Sequence, residues 1–337
     1  MANKLFLATS MFLASSFCQV LAYTFMFTAH NRGEAVIANS SGEIFLKISA
    51  KHPQSADISA DGSRIFISEI DGAKMCDTNT GKTLWKYTCP SIIWDGDESQ
   101  VKKGETVRLE NPVAQILGDG KFLVGNEGKS VLLEIDDKSN ILKAIKSESL
   151  KKVKHGEFRL ASKTRAGTYL FPLLSSNLLT EYDSNGKQIL RIDTGTGVVG
   201  ALRLDDGNIL AAGFFGVAIF NREGKKVWDF SSKEIQKAIE SASEIILCDV
   251  KILPNGNYLC TTYAGENVPD IIEISKDKKI VKKFDFPEYT HLSGLKILTD
   301  NQANTLRSRA IEASGTAARH PARRAQTMFL EIGNSAL

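Results

Sequence analysis

The chain has 337 residues, and its 42 Lys and Arg residues nearly balance 39 Asp and Glu residues, which gives a formal net charge of +3. This balance lacks the concentrated positive field that nucleic-acid binding requires, so we expect no nucleic-acid partner. The length does not demand two domains, because large all-β folds often exceed the usual domain size.

Residues 1–22 have the layout of a signal peptide. Lys4 supplies a short positive region, residues 5–17 an apolar stretch, and Val20-Leu21-Ala22 a small-residue cleavage pattern. A membrane anchor or a buried strand is the alternative, but the apolar stretch is shorter than the ~20 residues that span a bilayer. We therefore expect a periplasmic or secreted protein whose mature chain has no transmembrane span.

Polar turns recur along the rest of the chain, each between two apolar, strand-like runs. Six of them are SSGE at 40–43, NTGK at 79–82, DKSN at 137–140, SNGK at 184–187, REGK at 222–225 and KDKK at 276–279. Alternating with these are four hairpin signals, Asp61-Gly62, Asp119-Gly120, Asp206-Gly207 and Asn255-Gly256. Repeated four-stranded units of this kind predict an all-β fold, a β-propeller.

Five units are complete, with strands labelled A to D from the central axis outward. The predicted strands cover 55–60, 64–69, 73–77 and 83–88; 112–117, 121–125, 130–136 and 141–146; 157–162, 168–173, 178–182 and 188–192; 199–204, 208–213, 217–220 and 226–230; 246–253, 257–263, 270–275 and 280–284.

The two ends of the repeat region supply the sixth unit. Residues 25–28, 34–39 and 43–48 fit strands B, C and D without a strand A, and residues 293–298 fit a lone strand A. Pairing these ends completes a blade and removes the exposed sheet edges that invite aggregation. The sequence thus predicts six four-stranded blades within a domain over 23–299.

One turn carries a family resemblance. The run from Asp77 to Trp85, Asp-Thr-Asn-Thr-Gly-Lys-Thr-Leu-Trp, resembles the tryptophan-docking motif of quinoprotein-type, pyrroloquinoline-quinone-like propellers, Ala-x-Asp-x-x-Thr-Gly-Lys-x-x-Trp, with Met75 in place of the alanine. Residues 221–228 form a similar motif that is one residue shorter. In that family the motif is structural. The outer strands 83–88 and 226–230 alternate, with aromatic residues on one face, which predicts that Trp85 and Trp228 pack between neighbouring blades.

The same resemblance bears on cofactors. Quinone-dependent dehydrogenases of the family typically have eight blades and a pair of adjacent cysteines at the cofactor site. This chain has no Cys-Cys pair, and six blades are predicted. We therefore expect no quinone cofactor, and the sequence identifies no other one.

Propeller geometry divides the loops between two faces. The D-to-A and B-to-C connections emerge on one face, here called the long-loop face, and the short A-to-B and C-to-D turns on the other, the turn face. Long connections at 89–111 and 231–245 belong to the long-loop face, where functional loops are expected. The second one starts with a capping-box pattern at Ser231 and Glu234, which predicts a short helix.

Four of the five histidines map to the long-loop face. His52, His155 and His291 precede strands A and are the candidate catalytic residues, since imidazole titrates near neutral pH and binds metals. Candidate ligand-binding residues in equivalent loops are His30, Glu110, Asn126, Glu127, Tyr263 and Glu266. The alternative is that these loop residues lie too far apart to share a site, and we assign no metal.

Known catalytic motifs are absent from the sequence: it has no phosphate-binding loop, nucleophile elbow or zinc-type ligand spacing. The leading functional hypothesis is accordingly a binding or scaffold module whose long-loop face holds a protein, carbohydrate or small molecule. The alternative is a six-bladed periplasmic enzyme, either a histidine-dependent sulfotransferase or a metal-dependent lactonase or sugar dehydrogenase, with its site at the channel mouth.

Two features leave structural alternatives open. Cys76, Cys89, Cys248 and Cys260 either form two disulfides in an oxidising compartment or serve as small apolar residues in strands. Beyond residue 300 the basic residues are all Arg or His and alanine accumulates. This change predicts a poorly ordered tail over 301–337, with a marginal helix near 303–313.

Overall fold

A computed structural model describes residues 22–96, 101–263 and 267–308. Over these ranges the chain forms six four-stranded antiparallel sheets arranged in a ring, a six-bladed β-propeller. The predicted fold is confirmed. The described residues contain no helix that is long and apolar enough to cross a membrane.

The strands follow the predicted order. Blade 1 begins with β1 (Thr24–Ala29), β2 (Glu34–Asn39) and β3 (Ile44–Ser49). Blade 2 contains β4 (Ala56–Ile58), β5 (Arg64–Glu69), β6 (Gly72–Asp77) and β7 (Thr83–Thr88). A two-stranded ribbon follows, β8 (Ser91–Ile93) and β9 (Thr106–Arg108). Blade 3 contains β10 (Gln115–Gly118), β11 (Lys121–Asn126), β12 (Val131–Asp136) and β13 (Ile141–Lys146).

The second half repeats the pattern. Blade 4 contains β14 (Ser162–Lys163), β15 (Tyr169–Leu173), β16 (Leu178–Tyr182) and β17 (Gln188–Asp193), with a 3-10 turn at Leu174–Ser176. Blade 5 contains β18 (Val198–Arg203), β19 (Ile209–Gly213), β20 (Gly216–Phe220) and β21 (Lys226–Ser231). Blade 6 contains β22 (Ile246–Ile252), β23 (Tyr258–Tyr263), β24 (Ile271–Ile274) and β25 (Ile280–Phe284). The last strand among the described residues is β26 (Leu292–Ile297).

Strand β26 closes the ring as predicted, because it is the innermost strand of blade 1. It pairs antiparallel with β1, with Phe25 opposite Ile297 and Phe27 opposite Leu295. Both neighbouring blades hold it: the backbone N–H of Leu295 donates to Oδ2 of Asp249 at 2.8 Å, and Lys296 pairs with Asp57 at 2.9 Å.

The core lies between the blades as a series of apolar clusters. The Trp85 ring of blade 2 stacks on Phe122 of blade 3 with centroids 5.2 Å apart. The Trp228 ring of blade 5 packs on the Tyr258 ring of blade 6, with centroids 5.1 Å apart, and Nε1 of Trp228 donates to the carbonyl of Lys276. The expected packing of both tryptophans between blades is confirmed.

The innermost strand of blade 4 is shorter than predicted, covering Ser162–Lys163 rather than 157–162. The cause lies in the neighbouring strand β15. Its Pro172 accepts a hydrogen bond from the backbone of Arg159 at 3.1 Å but has no N–H to return to the ladder. Residues 157–161 therefore run beside β15 without forming a regular ladder with it.

Helix α1 (Ser232–Ala238) confirms the helix predicted in the connection over 231–245. The Ser231 hydroxyl accepts from the backbone of Glu234, and the Glu234 carboxylate accepts from the backbone of Ser231, which completes the capping box. Ile235 is fully buried and fixes the helix against the core between blades 5 and 6.

All four cysteines of the repeat region are buried and unpaired, so the disulfide alternative is not realised. Burial raises the pKa of the Cys89 and Cys248 thiols to about 12, which keeps them protonated and unreactive at neutral pH. These residues act as the small apolar strand residues of the second alternative.

The start of the segment 301–337 holds the helix that was predicted near 303–313, but this helix begins at residue 300 and packs on the ring. Residues 300–308 are helical, and Ala303 and Leu306 are buried. Leu306 packs with residues of blades 1 and 2, and Nε2 of Gln302 donates to the carbonyl of Ser59 at 3.0 Å. The helix forms because Thr299 and Gln302 make a capping box, with reciprocal bonds of 2.9 and 3.3 Å. Residues 309–337, like 1–21, lie outside the described residues.

Candidate functional site

Side chains from four consecutive blades converge on the long-loop face. Each is carried by a different connection: His30 follows β1, His52 precedes β4, Glu110 precedes β10, Glu127 follows β11 and His155 precedes β14. All of them except His30 line a small cavity of about 10 Å³, which has just enough room for one water molecule. We call this place the channel mouth; its lining includes His52, Gln54, Glu110, Glu127, His155 and Arg159.

Arg159 is the central residue of the channel mouth. Its Nη1 donates to Oε1 of Glu127 at 2.5 Å, and its Nη2 lies 3.0 Å from Nε2 of His155. Both partners of the ion pair are buried, with 9% of the Arg159 side chain and 1% of the Glu127 side chain exposed. Burial raises the pKa of Glu127, and the Arg159 charge opposes that rise.

His155 links this ion pair to a second carboxylate. Arginine has no acceptor, so Nε2 of His155 accepts from Arg159 and Nδ1 carries the proton that it donates to Oε2 of Glu110 at 2.6 Å. Burial by itself would raise the pKa of Glu110, but the hydrogen bond from His155 and the charge of Lys154 hold it below its usual value. The His155 side chain remains 48% exposed.

The other histidines form aromatic contacts beside this network. The His30 and His52 rings have centroids 4.9 Å apart, and the His291 ring packs on Tyr263 at 4.3 Å. The backbone N–H of His30 donates to the carbonyl of His291 at 3.4 Å. Burial, and then the charge of His52, lowers the pKa of His30 to about 4, so His30 is neutral at physiological pH.

Two of these histidines have an unusual backbone. His52 has a φ of +47° and His291 a φ of +55°, in the left-handed region that non-glycine residues rarely adopt. They occupy equivalent positions, in the connections before β4 and before β26. Such conformations cost about 1–3 kcal/mol each and are concentrated at functional sites.

The remaining sequence-predicted candidates have other places. Asn126 is buried at the end of β11, where its Oδ1 accepts from the hydroxyl of Tyr87 at 3.4 Å. Tyr263 is 40% exposed at the end of β23 beside His291. Glu266 lies outside the described residues. Asn126 therefore supports the blade, whereas Tyr263 belongs to the rim of the channel mouth.

The histidines do not form one metal-ligand set. In the part of the chain that the structure describes, one group of three residues brings its ligand atoms within 4.8 Å of one another: Glu110, Glu127 and His155. Arg159 already binds two of these three residues and supplies the positive charge. The group is therefore a charge-satisfied network of ion pairs and hydrogen bonds.

Sequence reasoning missed two charged residues of the site, Arg159 and Glu157. Glu157 is 1% exposed, and its Oε2 accepts from the backbone of Gly128 at 2.7 Å and of Ser130 at 3.1 Å. Burial raises the pKa of Glu157 to about 7. Both residues fell within a predicted inner strand, and a pair of charges at such a buried position was the signal that could have revealed them.

Several solved structures share this architecture. A protein of unknown function from Bacteroides caccae has 21% identity and a TM-score of 0.66 over 82% of this chain and 99% of that chain. A catalytically inactive variant of virginiamycin B lyase from Staphylococcus aureus with quinupristin has 10% identity and a TM-score of 0.55 over 83% and 93%. A chain of a nidogen/laminin complex has 10% identity and a TM-score of 0.56 over 82% and 98%.

These likenesses define the class of protein by its fold, a six-bladed β-propeller. At such low identity they carry no information on activity, since one propeller fold hosts unrelated functions. No protein-family model matches the chain, and no curated protein matches its sequence.

Proposed function

We propose that this protein is an exported β-propeller that binds a small ligand at the channel mouth on its long-loop face. The observation that carries the proposal is the convergence of polar side chains from blades 2, 3 and 4 on one cavity. Small-ligand sites are usually concave and lined by a small number of polar groups that point towards one another.

Two properties of the channel mouth favour binding over a purely structural role. The blades are held together by the apolar clusters between them, so the ring does not require half-exposed histidines at this position. The left-handed backbone at His52 and His291 is also held at an energetic cost. Strain of this kind is retained where it positions side chains for a ligand.

Export is supported by the position of the expected cleavage site. Cleavage after Ala22 leaves every strand in place, because β1 begins at Thr24. Tyr23 would then be the first residue, and it is packed in the ring, with its hydroxyl donating to Oε2 of Glu273 at 2.8 Å. Intact-mass analysis of the exported protein should give a chain starting at Tyr23; retention of the leader would contradict export.

We also propose that the repeats share the structural motif of quinoprotein-type propellers. In the turn after β6, Oδ1 of Asp77 accepts from the backbone of Asn79 at 3.0 Å and of Thr80 at 2.8 Å. The turn thereby positions β7 and its Trp85, which stacks on the next blade. This is the structural use that the resemblance implies.

A thermal-shift screen of small molecules on the mature chain tests the binding proposal. Hits should raise the unfolding temperature of the wild type and of Leu84→Ser, an exposed apolar position on β7 away from the channel mouth. The same hits should lose their effect in His52→Ala and His155→Ala. Hits that are insensitive to both histidine substitutions would place binding elsewhere and overturn the proposal.

A second candidate function, catalysis at the same place, is favoured by one specific contact. Glu110 orients His155 through Nδ1 at 2.6 Å, an arrangement that general acid–base catalysis uses, and His155 is half-exposed. Release of Nε2 by Arg159 would let it take a proton from a substrate. Any hydrolase or lyase activity found in a substrate screen should disappear in His155→Ala; full activity in that variant would exclude this candidate.

A further inference from the structure

An apolar cluster lies beside the charged network of the channel mouth. Leu160, Val199 and Cys248, contributed by blades 4, 5 and 6, pack together close to the axis. Leu174 and Ile246 border this cluster and are only partly buried. The polar side chains that line the cavity come from blades 2 to 4 and the apolar cluster from blades 4 to 6, and we call these two sides of the channel mouth the polar half and the apolar half.

Arg159 lies at the boundary between the two halves. A Cβ atom placed on Gly156 would lie 3.7 Å from Nη2 of Arg159 and 3.8 Å from Cδ2 of Leu174. The guanidinium and the Leu174 side chain therefore border the same small gap. Gly156 has a φ of +83°, which favours glycine there and keeps the gap open.

The apolar half continues outward to an exposed aromatic ring. A Cβ atom on Gly197 would lie 2.7 Å from Cδ1 of Leu174 and 2.8 Å from Cδ2 of Phe214, so these side chains flank one glycine. Phe214 is 44% exposed, and its backbone N–H donates to the carbonyl of Gly197 at 2.9 Å. Arg159, Leu174 and Phe214 thus form a continuous strip from a buried cation to an exposed ring.

A second donor faces the cavity beside Arg159. The Ser293 hydroxyl donates to Oε1 of Gln54 at 3.0 Å. Gln54 lines the cavity, so its Nε2 amide group remains to donate a hydrogen bond to a ligand there. The cavity of about 10 Å³ accommodates one oxygen atom of a ligand rather than a whole tetrahedral anion. Glu110 and Glu127 nearby disfavour a dianion.

We propose that the ligand of the channel mouth is an organic monocarboxylate with an apolar, aromatic body, the carboxylate seated on Arg159 and Gln54 and the body on Leu174 and Phe214. Nη1 of Arg159 is engaged by Glu127, but Nη2 has a second N–H besides the one that it donates to His155, and this N–H and the Gln54 amide can each donate to one carboxylate oxygen. This inference rests on the proposed function and names the chemistry of its ligand.

Calorimetric titration of the mature chain with three probes tests the inference. 4-Phenylbutyrate has both the anion and the aromatic body, acetate has the anion alone, and 4-phenylbutylamine carries the opposite charge on the same body. We expect 4-phenylbutyrate to bind at least tenfold more tightly than either of the others. Equal or tighter binding of the amine, or no binding of 4-phenylbutyrate, would overturn the inference.

Substitutions at the channel mouth test whether 4-phenylbutyrate binds there. Phe214→Ser should weaken 4-phenylbutyrate binding about tenfold, as expected for loss of one aromatic contact. Gln54→Glu keeps the shape and the acceptor for Ser293 but adds a negative charge, so it should abolish that binding and improve binding of the amine. Leu84→Ser is the control and should leave both unchanged. Binding that none of these substitutions alters would overturn the inference.

Failure of the inference and failure of the proposed function give different results. A thermal-shift hit that depends on His52 and His155 but carries no carboxylate would sustain the binding function and refute the ligand class. Hits that are insensitive to both histidine substitutions would refute the binding function at this place.

Discussion

Arg159 and Glu127 form a buried ion pair at the channel mouth, with Nη1 of the arginine 2.5 Å from Oε1 of the glutamate. The pair joins a connection of blade 3 to one of blade 4, and His155 extends it to Glu110. The geometry of the candidate site depends on this pair.

The first prediction concerns removal of the positive charge of Arg159. Arg159→Ala leaves Glu127 buried without its counter-charge and should lower the free energy of unfolding in urea by about 3–5 kcal/mol. The double variant Glu127→Gln with Arg159→Ala removes the orphaned charge and should recover part of that loss. A cost below about 1 kcal/mol for Arg159→Ala would show that the pair does not hold the two connections together.

A second prediction concerns Glu157, whose pKa in the folded state is about 7, against 4.5 for an ordinary glutamic acid. Between these values the folded protein binds more protons than the unfolded chain, so Glu157 makes stability fall as pH rises from about 5 to 7. Glu157→Gln removes this contribution. The free energy of unfolding of the variant, relative to wild type, should therefore increase by about 2–3 kcal/mol between pH 5 and pH 8.

Urea unfolding of both proteins at several pH values measures this difference, in which the other titrating groups cancel. If the free energy of unfolding changed with pH in the same way for wild type and for Glu157→Gln, that result would contradict the raised pKa of Glu157.

The third prediction concerns His30, whose contribution to stability should change with pH in the opposite direction to that of Glu157. Its pKa is lowered to about 4 from 6.5, so the folded protein binds fewer protons than the unfolded chain between these values, and stability rises with pH across that window. NMR titration of the His30 ring should give a midpoint near pH 4. His52→Gln removes a neighbouring charge and should raise the midpoint. A midpoint above pH 6 in the wild type would disprove burial as the controlling effect.

The helix over 300–308 gives a fourth prediction. Leu306 is 5% exposed and packs on blades 1 and 2, so Leu306→Ala should lower the free energy of unfolding by about 2–4 kcal/mol. Asn304, exposed on the same helix, is the matched control, and Asn304→Ala should have little effect. Equal effects of the two substitutions in urea unfolding would indicate that the helix does not contribute to the core.

The blades could be predicted from sequence because their signals are local. An Asp-Gly turn between two apolar runs specifies a hairpin by itself, and the strands around Asp61-Gly62 and NTGK were placed within a few residues. The capping box at Ser231 is local in the same sense. Ring closure followed from counting strands, since an unpaired strand at each end has one partner available.

The site was predicted only in outline, because its contacts join residues far apart in the chain. The histidines were predicted on one face from the loops that carry them, but nothing in the sequence indicates that His155 pairs with Glu110 or that His30 packs on His52. Arg159 was missed because the pattern around it is that of an inner strand, and Pro172, across the sheet, prevents that strand from forming. The helix after Thr299 was predicted to start near residue 303 and to be marginal, because composition outweighed its capping box.

The central claim is that the channel mouth binds an aromatic monocarboxylate, and a crystal structure of the mature protein with 4-phenylbutyrate tests it most directly. The account predicts ligand density with the carboxylate in contact with Arg159 and Gln54 and the ring against Phe214. Density at another place, or none at the channel mouth at saturating concentration, would contradict it.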